Sequence, residues 1–294
     1  MTTDRSSVLV SIGEIRVELA SVDSGMTVAV AEGTKRFVVG EGVADAQVSA
    51  SWGDLSRPVD GPEIFDSGSQ WKLYRQGEDY VFRFTIPLTG EHAFKEARFS
   101  SDFTSGHVTL HADYHDPSLP AVPLRYPLDE LLFTNLLGRG RGVEVHACGL
   151  RDHDGRGYLF TGHSQVGKST TARIWEKEGV LILSDDRIIL RWLDGKLWMY
   201  GTPWHGEGQY AAADRTELTH VFVLGQGDRN ELVPLAPAEA VSSLFTRSFV
   251  PFYNGAALAY TLDVLQQVAL VVPCAELRFV PDAKVVEFVR ENAK

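Results

Sequence analysis

The chain has 294 residues, enough for one large or two ordinary domains, and its balance of 44% hydrophobic and 23% charged residues is typical of a globular protein. Its net charge of -11 argues against nucleic acid or anionic lipid as a partner, because both need clustered lysine and arginine. No leader-like start and no run of 18 apolar residues is visible, so we expect a cytoplasmic protein that binds no membrane. We expect Cys148 and Cys274 to be reduced and buried.

Residues 1–125 predict a β-rich domain of unknown role. The stretches "YVFRF" and "HVTLHADY" alternate apolar and polar residues with the period of two that a half-buried strand requires. Further strand candidates are "EIRVELA" and "TVAVA". We find no motif with chemistry in this half, and we interpret His107 and His111 as sheet histidines rather than as a metal pair.

The segment "HDPSLPAVPLRYP" has four prolines and predicts a domain boundary, after which residues 126–294 form a second domain. Pro127 is suited to open a helix over "LDELLFTNLLGRG", which Gly138 would end.

From there the pattern is mixed α/β, so the expected fold class is α+β or mixed α/β. Its predicted elements in chain order are a hairpin of "VEVHACGL" and "GYLFTG", a helix "KSTTARIWEKEG" ended by Gly179, a strand "VLILS", a hairpin of "RIILRWL" and "KLWMYG", a strand "HVFVLGQG", helices "PAEAVSSLF" and "AALAYTLDVLQQVALVV", a strand "ELRFV" and a helix "DAKVVEFVREN".

The segment between the first strand pair and the next helix matches the phosphate-loop pattern G-x-x-x-x-G-K-[ST]. Glycines allow backbone N–H groups to turn toward phosphates at a helix N-terminus. Lys168 would neutralise the phosphates, and the Ser169 hydroxyl would hold Mg²⁺. The predicted nucleotide-binding residues are Gly162, His163, Ser164, Gln165, Val166, Gly167, Lys168, Ser169 and Thr170.

Asp185 and Asp186 end the strand that follows the phosphate-loop helix. A carboxylate there can hold Mg²⁺, and its neighbour can act as base for an incoming hydroxyl. We assign catalytic roles to both, and we place Asp186 with Ser169 at the metal.

Two further features adjoin these motifs. His146 lies on the strand that leads into the phosphate loop and is a candidate near the transferred group. The glycine-rich stretch "YGTPWHGEGQY" contains Trp204, His205 and Glu207, and we predict Glu207 as a further Mg²⁺ or substrate contact.

The series His146, "GYLFTGHSQVGKST" and "VLILSDDR" resembles the catalytic domain of the HPr kinase/phosphorylase family, whose fold is shared with phosphoenolpyruvate carboxykinase. The resemblance covers about residues 126–294. It departs from the family at Gln165, where glycine is usual, and in the β-rich N-terminal half.

This resemblance implies ATP and Mg²⁺ as cofactors and a serine of a protein or peptide as the phosphoryl acceptor. It implies that Lys168 and Ser169 bind the nucleotide phosphates and metal, that one of Asp185 and Asp186 is the base, and that His146 belongs to the catalytic residues. Three alternatives stay open: a small-molecule kinase, a carboxykinase-like enzyme, and a nucleotide-binding regulator without catalysis. GTP or pyrophosphate as donor, the reverse phosphorylase reaction and a homo-oligomer are also left open.

Overall fold

The computed structural model describes residues 7–87, 89–90, 92–116, 118–163 and 166–293. The chain divides into two units, Met1–Leu136 and Leu137–Lys294, and the described residues of each unit form a nine-stranded sheet. The architecture is mixed α/β with long sheets and few helices, so the predicted fold class is confirmed. Within the described residues no helix combines the length and apolar character needed to cross a membrane.

The first unit is built around one nine-stranded sheet in the order β3-β1-β2-β4-β9-β8-β7-β6-β5. Its pairings are antiparallel except those of β4 with β2 and β9, which are parallel. The strands are β1 (Ser7–Ile12), β2 (Ile15–Ser21), β3 (Val38–Val39), β4 (Ala46–Trp52), β5 (Glu63–Asp66), β6 (Trp71–Gln76), β7 (Asp79–Phe84), β8 (Lys95–Phe99) and β9 (Ser105–Leu110).

Alternation of buried and outward-facing residues explains these strands, whereas one stretch predicted as a strand lacks the partner that a strand needs. In β2, Ile15, Val17 and Leu19 are buried while the residues between them face outward. The stretch "TVAVA" is not a strand, because Val28 makes only an isolated bridge to Ala121. Ala121 lies in the proline-rich segment, and prolines lack the N–H that a longer ladder needs.

The helices and strands that follow are close to those expected, apart from the short strands β16 and β17, which no pattern indicated. They are α1 (Leu128–Leu137), β10 (Val143–Arg151), β11 (Gly157–Thr161), α2 (Lys168–Glu176), β12 (Leu181–Ser184), β13 (Arg187–Leu193), β14 (Lys196–Tyr200), β15 (Arg215–Gln226), β16 (Glu231–Pro234), α3 (Pro237–Phe245), β17 (Ser248–Phe249), α4 (Gly255–Val271), β18 (Cys274–Phe279) and α5 (Lys284–Asn292).

The long strand β10 organises the second unit because it changes partners halfway along. Its first half pairs with β13, where His146 faces Arg187 in register. Its second half pairs with β11 and β12, where Ala147 faces Thr161. β11 also pairs in parallel with β15. The strands β10, β13, β14, β15 and β11 are therefore paired in a closed ring. The ends of β11 and β12 therefore meet at the middle of β10.

Successive β10 residues enter two separate cores. Val145 and Ala147 belong to a core completed by residues of α3 and α4. Cys148 and Leu150 belong to a core completed by residues of α2 and α5. The sheet is therefore covered by helices on both faces, and its strand ends are left to form the site. Both cysteines are free; Cys148 is buried, as predicted, and Cys274 is partly buried.

Candidate functional site

The phosphate loop joins β11 to α2, and both glycines of its motif are needed for different reasons. Gly167 adopts φ +117°, a conformation that other residues rarely take. At Gly162 a Cβ atom would lie 2.6 Å from Cγ1 of Val166. The predicted binding residues Ser164 and Gln165 lie outside the described residues. His163 is exposed, and Thr170 is partly buried in the first turn of α2.

Lys168 is the first residue of α2 and is only 7% exposed. Its Nζ donates to the carbonyl oxygens of Gly162 at 3.1 Å and His163 at 3.3 Å. Burial lowers the pKa of Lys168; the Asp186 charge opposes this shift, and the positive charge of Arg247 adds to it. The ammonium therefore lies against the loop backbone, where the charges of Asp186 and Arg247 act on it.

Asp185 follows β12 and is 1% exposed. Its Oδ1 accepts a hydrogen bond from the Gly206 amide at 3.0 Å, and its Oδ2 accepts from the Gly208 amide at 2.8 Å. Oδ2 also accepts from the Ser169 hydroxyl at 3.4 Å. Asp185 thus joins the first turn of the phosphate-loop helix to the glycine-rich stretch that follows β14.

The glycines of that stretch are required by close approach. A Cβ atom at Gly208 would lie 2.7 Å from Oδ2 of Asp185, and one at Gly206 would lie 3.0 Å from it. Glu207 stands between them and is exposed, so the contacts this stretch makes with Asp185 come from backbone amides. His205 is exposed and its Nδ1 is 3.1 Å from the Gly206 carbonyl oxygen. Trp204 is buried at 6% exposure.

Asp186 turns to a different set of partners. Its Oδ1 lies 2.8 Å from Nε2 of His146, and its Oδ2 accepts from Nη1 of Arg187 at 2.5 Å. Burial alone would raise the pKa of Asp186, but the His146 hydrogen bond and the Arg187 charge outweigh it and hold that pKa below its usual range. The Asp186 side chain is 25% exposed, so this carboxylate is accessible as well as paired.

Arg187 is held by groups on its other sides. Its Nε lies 3.8 Å from Oε1 of the fully buried Glu144, and its guanidinium lies over the ring of Phe249 at 4.1 Å. The β10–β13 register places Arg187 opposite His146, which explains why both reach Asp186.

Arg247 adds a third cation that sequence reasoning missed. Its Nη1 donates to the Ser243 carbonyl at 2.6 Å, and its own carbonyl accepts from the His146 amide at 2.7 Å. Burial lowers the pKa of Arg247. Arg247 follows α3 in no recognisable motif, and only the pairing of β17 with β10 brings it beside His146. The positive charges of Arg187 and Arg247 both act on Lys168, and we call these three residues the cationic cluster.

The donor set fits a cation that is bound together with a nucleotide. In the described part of the chain, no three His, Cys, Asp or Glu side chains gather so as to hold a metal ion by themselves. Mg²⁺ bound through phosphates needs only one or two protein oxygens. The Ser169 hydroxyl and the Asp185 carboxylate are such a pair of oxygens in contact.

No protein-family model matches the chain, and no curated protein matches its sequence. Among solved structures it is similar to the Hpr(Ser) kinase/phosphatase from Coxiella burnetii, at 14% sequence identity and a TM-score of 0.32, over 51% of this chain and 94% of that chain. The role of this chain is therefore inferred from its own residues.

Proposed function

We propose that the second unit binds a nucleoside triphosphate with Mg²⁺ and transfers the γ-phosphoryl group to a hydroxyl, with ATP as donor and a serine of a protein or peptide as acceptor. The observation that supports this most is the separation of two adjacent carboxylates. Asp185 is buried against the phosphate-loop serine, whereas Asp186 is paired with His146 and stays partly exposed. Such a pair supplies two chemical roles at one site.

Asp185, the buried carboxylate, is suited to hold the metal ion. Ser169 and Asp185 would hold Mg²⁺, which supplies charge neutralisation of the phosphates. This assignment differs from the one drawn from sequence, which placed Asp186 and Glu207 at the metal, because the Ser169 hydroxyl contacts Asp185. The two glycine amides on Asp185 fix the orientation of its carboxylate.

Asp186, the partly exposed carboxylate, is suited to be the base. Its lowered pKa keeps Asp186 ionised near neutral pH, so it can accept the proton of an acceptor hydroxyl. His146 and Arg187 hold the carboxylate in position through its two oxygens. We propose His146 as a positioning residue that also stabilises the negative charge of Asp186.

The cationic cluster would supply the positive charge that binds the phosphates. Arg247 and Arg187 both lower the pKa of Lys168, so the three positive charges repel one another. A polyphosphate offers the negative charge that would relieve this repulsion. Phosphoryl transfer depends mainly on positioning and charge stabilisation, and the loop amides with Lys168 would provide both.

The test uses the purified full-length protein with γ-labelled ATP, Mg²⁺ and either a host lysate or a serine-containing peptide library. Label in a protein or peptide supports the proposal, and label in a small molecule indicates a small-molecule kinase. Lys168→Ala should abolish nucleotide binding measured by calorimetry, because it removes the loop cation. Asp186→Asn should preserve binding while transfer falls by roughly 10²–10⁴-fold, the usual contribution of a general base.

The matched control is Asp214→Asn, which removes an exposed carboxylate paired with Arg151 elsewhere in the same unit. It should leave both binding and transfer unchanged. Transfer by Asp186→Asn at the wild-type rate would contradict the assigned base. Tight ATP binding by the wild-type protein without any transfer would favour a nucleotide-binding regulator.

A further inference from the structure

The first unit contains a cavity of about 670 Å³ that the phosphate-loop chemistry does not involve. This volume is within the range of small-molecule binding sites. All of its lining residues belong to the first unit, and Trp52, Phe94, Leu110 and Leu119 give it apolar walls. Charged and titratable side chains also line this cavity.

Lys95 lies in this wall and is 3% exposed. Its Nζ donates to the Arg125 carbonyl at 3.1 Å and lies 4.4 Å from the centroid of the Phe84 ring. In the described part of the chain, that carbonyl is its one hydrogen-bond acceptor, although an ammonium group has three N–H donors. In that part of the chain no carboxylate forms an ion pair with Lys95. The charge of Asp129 acts on Lys95 without such a contact.

His115 provides a second nitrogen without an acceptor. Its Nε2 is fully enclosed and has no hydrogen-bond partner among the described residues. Its ring packs against Trp52, with the centroids 5.5 Å apart. Both residues line the cavity, and the pKa of His115 is lowered by burial and by the positive charge of Lys95, while a hydrogen bond to the Phe94 backbone opposes that shift. Buried polar groups without partners are rare in native proteins and call for an explanation.

A ligand in the cavity could accept the hydrogen bonds that the Lys95 ammonium does not donate to the protein. We propose that this cavity binds a small monocarboxylate with an apolar body, whose carboxylate accepts a hydrogen bond from Lys95, beside the ring of His115. The apolar walls fit the body, and Arg125, which is exposed and also lines the cavity, adds positive charge. Asp113 and Asp116 line the cavity too and disfavour a doubly charged phosphate. This site does not depend on the proposed phosphotransfer.

The test titrates the full-length protein with a fixed panel of carboxylates: acetate, hexanoate, phenylacetate, 3-phenylpropionate and indole-3-propionate. At least one of the larger members should bind with a Kd below about 1 mM, and its uncharged amide should bind at least about tenfold more weakly. Absence of saturable binding across the panel, equal binding of acid and amide, or equally strong binding of inorganic phosphate would each overturn the proposal.

Two variants separate the site from a general charge effect. Lys95→Met keeps the apolar stem, removes the ammonium and should weaken carboxylate binding by at least about tenfold. Lys72→Met removes one positive charge from the exposed side of β6 and should leave binding unchanged. Equal weakening by both variants would mean that the overall charge of the unit, not Lys95, governs binding.

A measurement on the wild-type protein is independent of how the variants fold. Burial lowers the pKa of Lys95 to about 7, so at pH 8 most Lys95 side chains in the free protein are neutral. A bound carboxylate favours the ammonium form, so binding should take up a proton. Calorimetric titrations at pH 8 in two buffers of different ionisation enthalpy should therefore give different heats, and identical heats would contradict the role of Lys95.

Discussion

Single residues at the candidate site act through the environment that their neighbours create. Asp185 and Asp186 are adjacent in sequence, yet one is enclosed by glycine amides and the other is paired with His146 and Arg187. Adjacent side chains at the end of a strand point in different directions, as they do within a strand. Their difference therefore comes from the partners that each direction meets.

His146 offers a residue-scale prediction. Its hydrogen bond and charge help to lower the pKa of Asp186, and an ionised Asp186 is the form we assign as base. His146→Leu removes both influences, so the pKa of Asp186 should rise. Activity would then be lost at a higher pH on the acid side of the profile of kcat/KM against pH. We also expect kcat to fall by roughly tenfold or more, because the base is less well held.

Two further variants show whether His146 acts through Asp186. His146→Gln retains an N–H donor without a positive charge and should give an acid limb between those of the wild-type and Leu proteins. His153→Leu removes a histidine whose Nε2 contacts the Glu178 carbonyl, away from Asp186, and should leave the profile unchanged. An unshifted acid limb in His146→Leu would refute the coupling to Asp186.

At the scale of elements, sequence patterns predicted what is local. The hairpin of β10 and β11, the helix α2 with the turn at Gly179 just beyond its end, and the β13–β14 turn at Asp194 and Gly195 each depend on a short stretch of residues. The phosphate loop was found for the same reason. The wrong strand "TVAVA" and the unpredicted β17 depend instead on which distant segment becomes the partner.

The same reasoning explains what was found of the site and what was missed. Lys168, Ser169 and the aspartate pair stand in a recognisable order along the chain, so their proximity could be predicted. Arg247 comes near His146 only through the pairing of β17 with the first half of β10. The Lys95 cavity was missed because no motif marks a buried lysine, and its environment depends on the fold.

Helix α4 allows a prediction about an element. Leu265 is completely buried and belongs to the core that α4 shares with the sheet. Leu265→Ala should lower the free energy of unfolding by about 2–5 kcal/mol, because it leaves a cavity in a packed core. Denaturant unfolding followed by circular dichroism measures this. Leu270→Ala, at a position 65% exposed on the same helix, should change it by less than about 0.5 kcal/mol. Equal effects would mean that α4 does not contribute its buried face to stability.

At the scale of the whole molecule, the cost of burying a charge should be visible in stability against pH. The pKa of Lys95 is lowered from 10.5 to about 7 by burial. Between these two values the unfolded chain holds a proton that the folded chain has released, so stability contributed by this group rises with pH across that window. Below pH 7 both states are protonated, and the full cost of the buried ammonium is present. Above the ordinary lysine pKa both are neutral, and the cost vanishes.

Lys95→Met removes that cost together with the charge. The variant should therefore unfold at higher denaturant than the wild-type protein at pH 6, with a gain of a few kcal/mol in the transition of the first unit. The gain should shrink as the pH is raised toward 10. Lys72→Met provides the comparison, because that side chain is exposed and paired with Glu63 and Asp66, and its effect should not shrink in this way. A Lys95→Met variant that is less stable than the wild-type protein at pH 6 would show that the ammonium is stabilised within the folded unit, contrary to the unfavourable burial inferred from its surroundings.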